Sequence, residues 1–451
     1  MEKKTYSLTE GPIFKSIVMF AFPLLLSNLF QQLYNSIDSA VVGKFSGSIA
    51  LAAVGSTGSL INLLIGFFLG IATGTGVIYS MHYGAGHYDG LKRITDAAFF
   101  LSVAAGLVIT VLGIAFARPM LNLMDMPEDV MEDAVIYLRI FLAGTVPNLV
   151  YNVGAGMIRA AGDSRRPLIY LMIGGAGNLV FDLIFVALFD MGAAGAALAT
   201  VAAQLFSAVM VVRRMMLLPE SYRFRPLKMR VERLALWDVL RISVPCGLQG
   251  SMFNISNLLV QAKINAFGAI AMAGVTAYSK IDGFVYMPTM ALSLAVSTYV
   301  GQNIGAGRYN RVRRGIRVCV LLSGVIAALF GIIVMLTCRG LLGIFTDDDA
   351  AKDFAIQMMW YLAPFAWIYS ITDALGGAMR GAGAATQVTV IAAVCICVFR
   401  IVWLFAMLRF FPSIRTVFIC YPISWLLYTA VTFIYYLKGS TVKKAIGAAK
   451  V

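Results

Sequence analysis

The sequence predicts an all-α integral membrane protein, with twelve transmembrane helices in two pseudo-symmetric six-helix lobes. Three observations carry that prediction: an apolar composition, twelve helix-length apolar stretches, and an internal repeat at a fixed offset. The 451 residues are 60% hydrophobic and 13% charged. Soluble domains hold roughly 45–50% apolar and about 25% charged residues, which excludes a soluble protein. Disorder is excluded as well, because it requires low hydrophobicity and high charge.

A helix needs about 20 mostly apolar residues to cross the hydrocarbon core. Stretches of that kind cover 14–36, 50–80, 95–117, 131–158, 167–189 and 192–213 in the first half. The second half supplies 238–262, 269–301, 315–338, 352–379, 385–408 and 416–437. Several exceed the minimum and imply tilting, kinking or ends that project into water. No period-2 barrel pattern occurs, and an open sheet facing lipid would leave backbone groups unsatisfied. The first 13 residues are polar and lack a short apolar core with a cleavage site, so no removed signal peptide is expected. The predicted boundaries are an N-terminal lobe over 1–218, a cytoplasmic linker over 219–237 and a C-terminal lobe over 238–451.

Formal net charge is +14, which in a soluble protein would suggest nucleic acid. Sorting the cations by side explains it differently. Placing both termini and every second connection on one side gathers 26 of the 36 Lys and Arg there. That side holds the linker cations from Arg213 to Arg241, the run Arg308–Arg317 and the tail lysines. The opposite side carries eight, together with acidic runs around Asp125–Asp133 and Asp347–Asp349. By the positive-inside rule the basic side is cytoplasmic and both termini lie there. No nucleic-acid partner is expected; the chain is read as multi-pass in the cell (inner) membrane.

Residues 47–93 align without a gap on 268–314, an offset of 221. Gly47-Ser-Ile-Ala-Leu-Ala-Ala-Val54 meets Gly268-Ala-Ile-Ala-Met-Ala-Gly-Val275, and Tyr83-Gly-Ala-Gly-His-Tyr88 meets Ile304-Gly-Ala-Gly-Arg-Tyr309. The same offset pairs Arg159-Ala-Ala-Gly162 with Arg380-Gly-Ala-Gly383, while Pro23 and Pro245 correspond within one residue. Six spans per half give both halves one orientation. Parallel repeats of this kind occur in secondary transporters, with the substrate site between repeats.

Enzyme and ATP-driven readings find no motif. There is no G-x-x-x-x-G-K-[ST] loop and no G-x-S-x-G elbow. His82 and His87 lack an H-E-x-x-H arrangement and read as solvated-loop residues rather than zinc ligands. The six cysteines lie mostly in apolar stretches without paired spacing and read as small core residues. No cofactor is expected.

Six ionisable residues remain inside spans: Asp38, Asp182, Lys280, Asp282, Asp373 and Arg400. A charge at a helix centre costs about 2.5–3.5 kcal/mol on insertion scales, so such residues line pathways or pair. Gln31, Tyr34, Asn35 and Asp38 share one face of the first span. Asp182 follows Asn178 by one turn and shares its face. Two carboxylates and an amide around one cavity could hold Na⁺; alternatively, desolvation and like-charge repulsion could leave one carboxyl carrying a proton. A capping or helix-bridging aspartate is the plainer alternative for each. Asn148 and Asn152, also one turn apart, are further pocket candidates beside Gln31, Tyr34 and Asn35. In the second half Arg400 sits mid-span and requires a partner, with Asp373 preferred and Asp282 second. An internal ion pair is the plain reading of those three, and a polar functional site the sharper one. Glycines at 66, 70, 74 and 76 suit close helix packing.

The run Pro23…Gln31-x-x-Tyr-Asn-x-x-Asp38-x-x-x-x-Gly43, with Gly84-Ala-Gly86, the Arg159 and Arg380 glycine motifs and Asn178-x-x-x-Asp182, resembles the multidrug and toxic compound extrusion (MATE) family over nearly the whole chain. Bacterial and archaeal members are the nearest in kind. The resemblance implies a V-shaped pair of lobes that exports organic cations and drugs by alternating access, in exchange for Na⁺ or H⁺. It implies a cation-coupling set at Asp38, Asn178, Asp182 and Thr200, which would be the metal ligands if Na⁺ is the ion. It departs from some branches in two ways: no glutamate lies in Pro245–Ala262, and Asp373 is not in clear register with the acidic position of the tenth helix. Both weaken the case for a C-lobe coupling site. The expected function is a multidrug efflux antiporter, taken as a monomer with no enzymatic activity. The alternative is a lipid-linked saccharide flippase, which would need a basic cavity.

Overall fold

The structure is a computed structural model that describes residues 8–124 and 126–439. All regular structure among the described residues is helical. Lys3, Lys4, Asp125 and the tail lysines Lys443, Lys444 and Lys450 lie outside them, as do the topological assignments that rest on those residues.

The first half contains α1 (Ile13–Phe45), α2 (Gly47–Gly84), α3 (Tyr88–Asn122), α4 (Glu128–Ala143), α5 (Thr145–Ala160), α6 (Arg165–Asp182) and α7 (Gly192–Met216). The second contains α8 (Arg233–Asn265), α9 (Ala269–Gly305), α10 (Tyr309–Leu342), α11 (Asp349–Leu362), α12 (Ala366–Gly381), α13 (Ala385–Ala392), α14 (Phe399–Phe410) and α15 (Ile414–Lys438). At 1.5 Å per residue, the 38 residues of α2 extend nearly 60 Å, well beyond a core about 30 Å thick. Among the described residues ten helical stretches are long and apolar enough to cross a membrane, and the pair α4–α5, bent by 47° at Gly144, makes eleven. The twelfth predicted span lies in α8, whose Gln249, Ser251, Asn254, Ser256 and Asn257 make it too polar to be recognised by hydropathy. Two spans change to a wider π-type turn: α6 passes into Leu183–Leu188, and Ala393–Val398 joins α13 to α14.

The internal repeat reappears in the elements. Matching helices of the second half begin 220 to 222 residues after their counterparts. The glycine motifs are helix stops. Gly86, Gly162, Gly307 and Gly383 all have positive φ, from 66° to 93°. The amide after each reaches five residues back, as His87 N–H does to the His82 carbonyl and Ala384 N–H to that of Met379. This is the Schellman closure, and its left-handed residue favours glycine.

Two compact units emerge, each with its own apolar core. One comprises 26–247; the other comprises 8–25 and 248–439. The boundaries cut α1 two residues after Pro23 and α8 two residues after Pro245, both prolines inside their helices. In the first unit α2 packs on α5, and α7 on α4, α5 and α6. Gly70 and Gly74 meet the backbone of Cys246–Gly247 and Ile242–Ser243, the close contact expected of that glycine run. The segment after α7 is pinned to α3: Phe224 stacks on Phe99 at 4.3 Å, Tyr222 on Tyr88 at 5.5 Å, and Arg230 N–H donates to Asp96 at 3.1 Å. In the second unit α9 packs on α10, α11 and α12, and residues 8–11 are held by Asn303, Arg308 and Arg311. All six cysteines are buried and free.

Candidate functional site

Three helices of the first unit bring Asp38, Asn178, Asp182 and Thr200 together. Asp38 comes from α1, Asn178 and Asp182 from the last turn of α6, and Thr200 from α7. All four are buried; Asp38 is 9% exposed and Asp182 0%. The Asp38 and Asp182 carboxyls lie within hydrogen-bonding contact. The Asn178 amide, turned to satisfy both its ends, donates to Asp182 Oδ2 at 2.9 Å and accepts from the Thr200 backbone N–H at 3.1 Å. The Tyr34 hydroxyl lies beside the Thr200 side chain, and Tyr137 from α4 lies near both carboxyls. Asp182 is also the last residue before the π-type turn, a feature frequent where helices carry function.

One oxygen on each acid, Oδ1 of Asp38 and Oδ1 of Asp182, is buried without a hydrogen-bond partner among the described residues. Two carboxylates in contact repel unless a proton or a cation lies between them, and an unpaired buried oxygen carries a desolvation penalty of about 1–3 kcal/mol. The donor set is all oxygen: two carboxyls, an amide and a hydroxyl. That chemistry suits a proton or a hard cation such as Na⁺. No group of three or more His, Cys, Asp or Glu suited to a metal occurs among the described residues, so a transition-metal centre has no support.

The other predicted pocket residues divide. Tyr34 joins the site directly, whereas Gln31 is only half-buried on α1 and Asn35 is exposed. Asn148 and Asn152 bond to each other, Asn152 Nδ2 donating to Asn148 Oδ1 at 2.6 Å. Tyr137 was missed, because nothing in the α4 pattern shows that its face meets α1 and α6.

The second unit corrects the expected partner of Arg400. Asp373 pairs instead with Arg380, at 3.7 Å, and accepts from the Tyr286 hydroxyl at 3.5 Å. The spacing of seven between Asp373 and Arg380 is two helical turns, so both lie on one face of α12 and the long guanidinium reaches back. Arg400 is 4% exposed and is held by neutral groups. Its Nε donates to Ser424 at 3.0 Å, its Nη1 donates to Asn257 at 3.2 Å, and its Cζ lies over the Tyr421 ring, 4.3 Å from the centroid. Asp282 makes no ion pair with it, but both line one cavity of about 170 Å³ with Tyr286, Tyr369, Tyr421 and Trp425. Lys280 is exposed.

The repeat offset shows how far the two units have diverged. Asn178, Asp182 and Thr200 correspond to Phe399, Trp403 and Tyr421, while Asp282 and Arg400 correspond to Ile61 and Leu179. Each unit therefore has its own polar centre.

Known proteins share this architecture. A MOP superfamily transporter from Pyrococcus furiosus superposes with a TM-score of 0.90 over 100% of both chains at 21% identity. A multidrug resistance MATE family transporter solved in an outward-facing conformation gives 0.89 over 98% of this chain and 100% of that one, also at 21% identity. These establish the fold. In sequence, the probable multidrug resistance protein YpnP of Bacillus subtilis is 28% identical over 396 residues, covering 86% of this chain and 87% of that protein. The probable multidrug resistance protein NorM of Thermotoga maritima is 24% identical over 402 residues, covering 88% and 86%. The MatE family model matches twice, over residues 23–184 and 245–405, once in each half. The chain belongs to the MatE family of transporters.

Proposed function

We propose that this protein is a secondary active multidrug efflux antiporter that exchanges H⁺ or Na⁺ for organic cations by alternating access, with Asp38 and Asp182 as the coupling pair. One observation carries the reading: two buried carboxyls in contact, each with an unpartnered oxygen. The names of the curated relatives, drug resistance proteins of similar length, support the substrate class.

The mechanism follows from competition. A proton or Na⁺ on the pair halves its negative charge and so weakens its attraction for an organic cation. When the pair is vacated, the unneutralised carboxylates attract a cationic drug, so the two ligands alternate without further machinery. Asn178 orients Asp182, and Tyr34 and Thr200 bring α1 and α7 side by side next to the acids. Changes in occupancy act on α1, where Pro23 removes a helical hydrogen bond and permits a bend. Cytoplasmic termini are part of the proposal, and the excess of cations on that side of the sequence supports them.

The flippase alternative lacks a comparable feature. Arg400 is held by Asn257 and Ser424 in a cavity shared with a carboxylate, and Lys280 is exposed. Equilibrium binding of tetraphenylphosphonium to the purified protein tests the proposal. Acidification, or added Na⁺ at fixed ionic strength, should displace the probe from wild type, whereas Asp38→Asn/Asp182→Asn protein should bind it more weakly and with no dependence on either. Identical displacement from both proteins would refute it.

A further inference from the structure

We propose that the cavity of the second unit binds a small zwitterion, a compact molecule carrying both an ammonium and a carboxylate. The volume of about 170 Å³ resembles that of an engineered cavity, about 150 Å³, that admits benzene, so a ligand of roughly that bulk fits. Its wall is a continuous run of rings. Tyr286 lies 5.6 Å from Tyr369, Tyr369 lies 5.4 Å from Trp425, and Trp425 lies 6.1 Å from Tyr421, centroid to centroid. Clustered aromatic faces are the surface that recognises ammonium and quaternary ammonium groups.

The two charged groups complete the specificity. Asp282 is partly buried and makes no hydrogen bond or ion pair among the described residues, which leaves a carboxylate ready to face a cationic head. Arg400 is fixed by Nε and Nη1, while its Nη2 makes no hydrogen bond among the described residues. That edge of a guanidinium held over the Tyr421 ring is a prepared anion donor. A simple cation would satisfy Asp282 but leave Arg400 facing it with like charge, and a simple anion would do the reverse. Only a ligand with both charges satisfies both groups. The first unit has no equivalent: Asp282, Tyr286, Arg400 and Trp425 correspond there to Ile61, Ile65, Leu179 and Gln204. The site is therefore a feature of this unit and not a remnant of a duplicated one.

Isothermal titration of the purified full-length protein with three isosteric probes tests the inference. Trimethylglycine carries both charges, choline only the positive one, and 3,3-dimethylbutanoate only the negative one. Wild type is expected to bind trimethylglycine at least tenfold more tightly than either of the others. Asp282→Asn should weaken trimethylglycine at least tenfold and leave 3,3-dimethylbutanoate unchanged. Arg400→Gln should weaken trimethylglycine while sparing choline. The wild-type series needs no variant, so a misfolded Arg400→Gln protein would not obscure the result. Choline binding as tightly as trimethylglycine, no binding of trimethylglycine, or indifference to Asp282→Asn would each overturn the proposal. Binding is read without an ion gradient and is independent of the role assigned to Asp38 and Asp182.

Discussion

Asp373 and Arg380 should be energetically coupled, and Asp373 and Arg400 should not. The acid and base of the first pair lie 3.7 Å apart with side chains 13% and 11% exposed, so solvent screens them little. Removing one member of a buried pair strands the other charge, a cost of about 3–5 kcal/mol. Arg380→Leu strands Asp373 beside two neutral hydroxyls, Tyr286 and Ser293, and belongs near the top of that range. Asp373→Leu leaves Arg380 with its bonds to Ser293 and Gln249, at 3.0 and 3.5 Å, and belongs near the bottom. Replacing both removes two desolvation penalties together, so the double variant recovers about 1–3 kcal/mol relative to the sum of the singles. Equilibrium unfolding in mixed micelles by SDS titration, arranged as a double-mutant cycle, measures this coupling. The companion cycle of Asp373→Leu with Arg400→Leu should stay within about 0.5 kcal/mol of additivity. Strong coupling to Arg400 with none to Arg380 would refute the pairing.

Packing and helix ends supply further tests. A Cβ on Gly156 would lie 2.7 Å from the Ala72 carbonyl oxygen, so Gly156→Ala should push α5 from α2 and cost about 1–3 kcal/mol in the same unfolding assay. Gly58→Ala meets nothing within 4 Å and should be neutral or slightly stabilising, since alanine favours a helix by about 0.5–1 kcal/mol over glycine. Phe224 is 3% exposed against Phe99, and Phe224→Ala should lose about 3–5 kcal/mol and expose the segment after α7 to limited proteolysis. For pH, protonation of the Asp38–Asp182 pair removes its charge, so the Kd for tetraphenylphosphonium should rise as pH falls. Asp38→Asn should flatten that dependence, as read by equilibrium dialysis across a pH series.

The fold was legible because its determinants are local or periodic. Length and apolarity gave twelve spans, α8 among them although its amides and hydroxyls lower its hydropathy. The glycine motifs were visible too, and their left-handed φ shows them to be helix stops. Asp38, Asn178 and Asp182 stood out because charged and amide groups in lipid are costly enough to be rare. Partner choice was not legible where it depends on how helices rotate against one another. Arg400 meets Asn257 and Ser424 on other helices, and neutral partners leave no charge pattern in the sequence. For Asp373 the spacing to Arg380 is readable as one helical face, but Arg380 lies at the end of its helix, where it reads as part of a glycine-motif helix stop. Tyr137 and the aromatic wall of the second cavity depend on tertiary contact alone.

Gradient-driven transport in proteoliposomes tests the central claim most directly. Drug movement is followed with a pH gradient and a Na⁺ gradient imposed separately, in wild type, Asp38→Asn and Asp182→Asn proteins reconstituted to equal density. Wild type should be driven by at least one of the gradients, and both single variants should fall to the rate of protein-free liposomes under that gradient. Full gradient-driven transport by either variant would contradict the assignment of coupling to the Asp38–Asp182 pair.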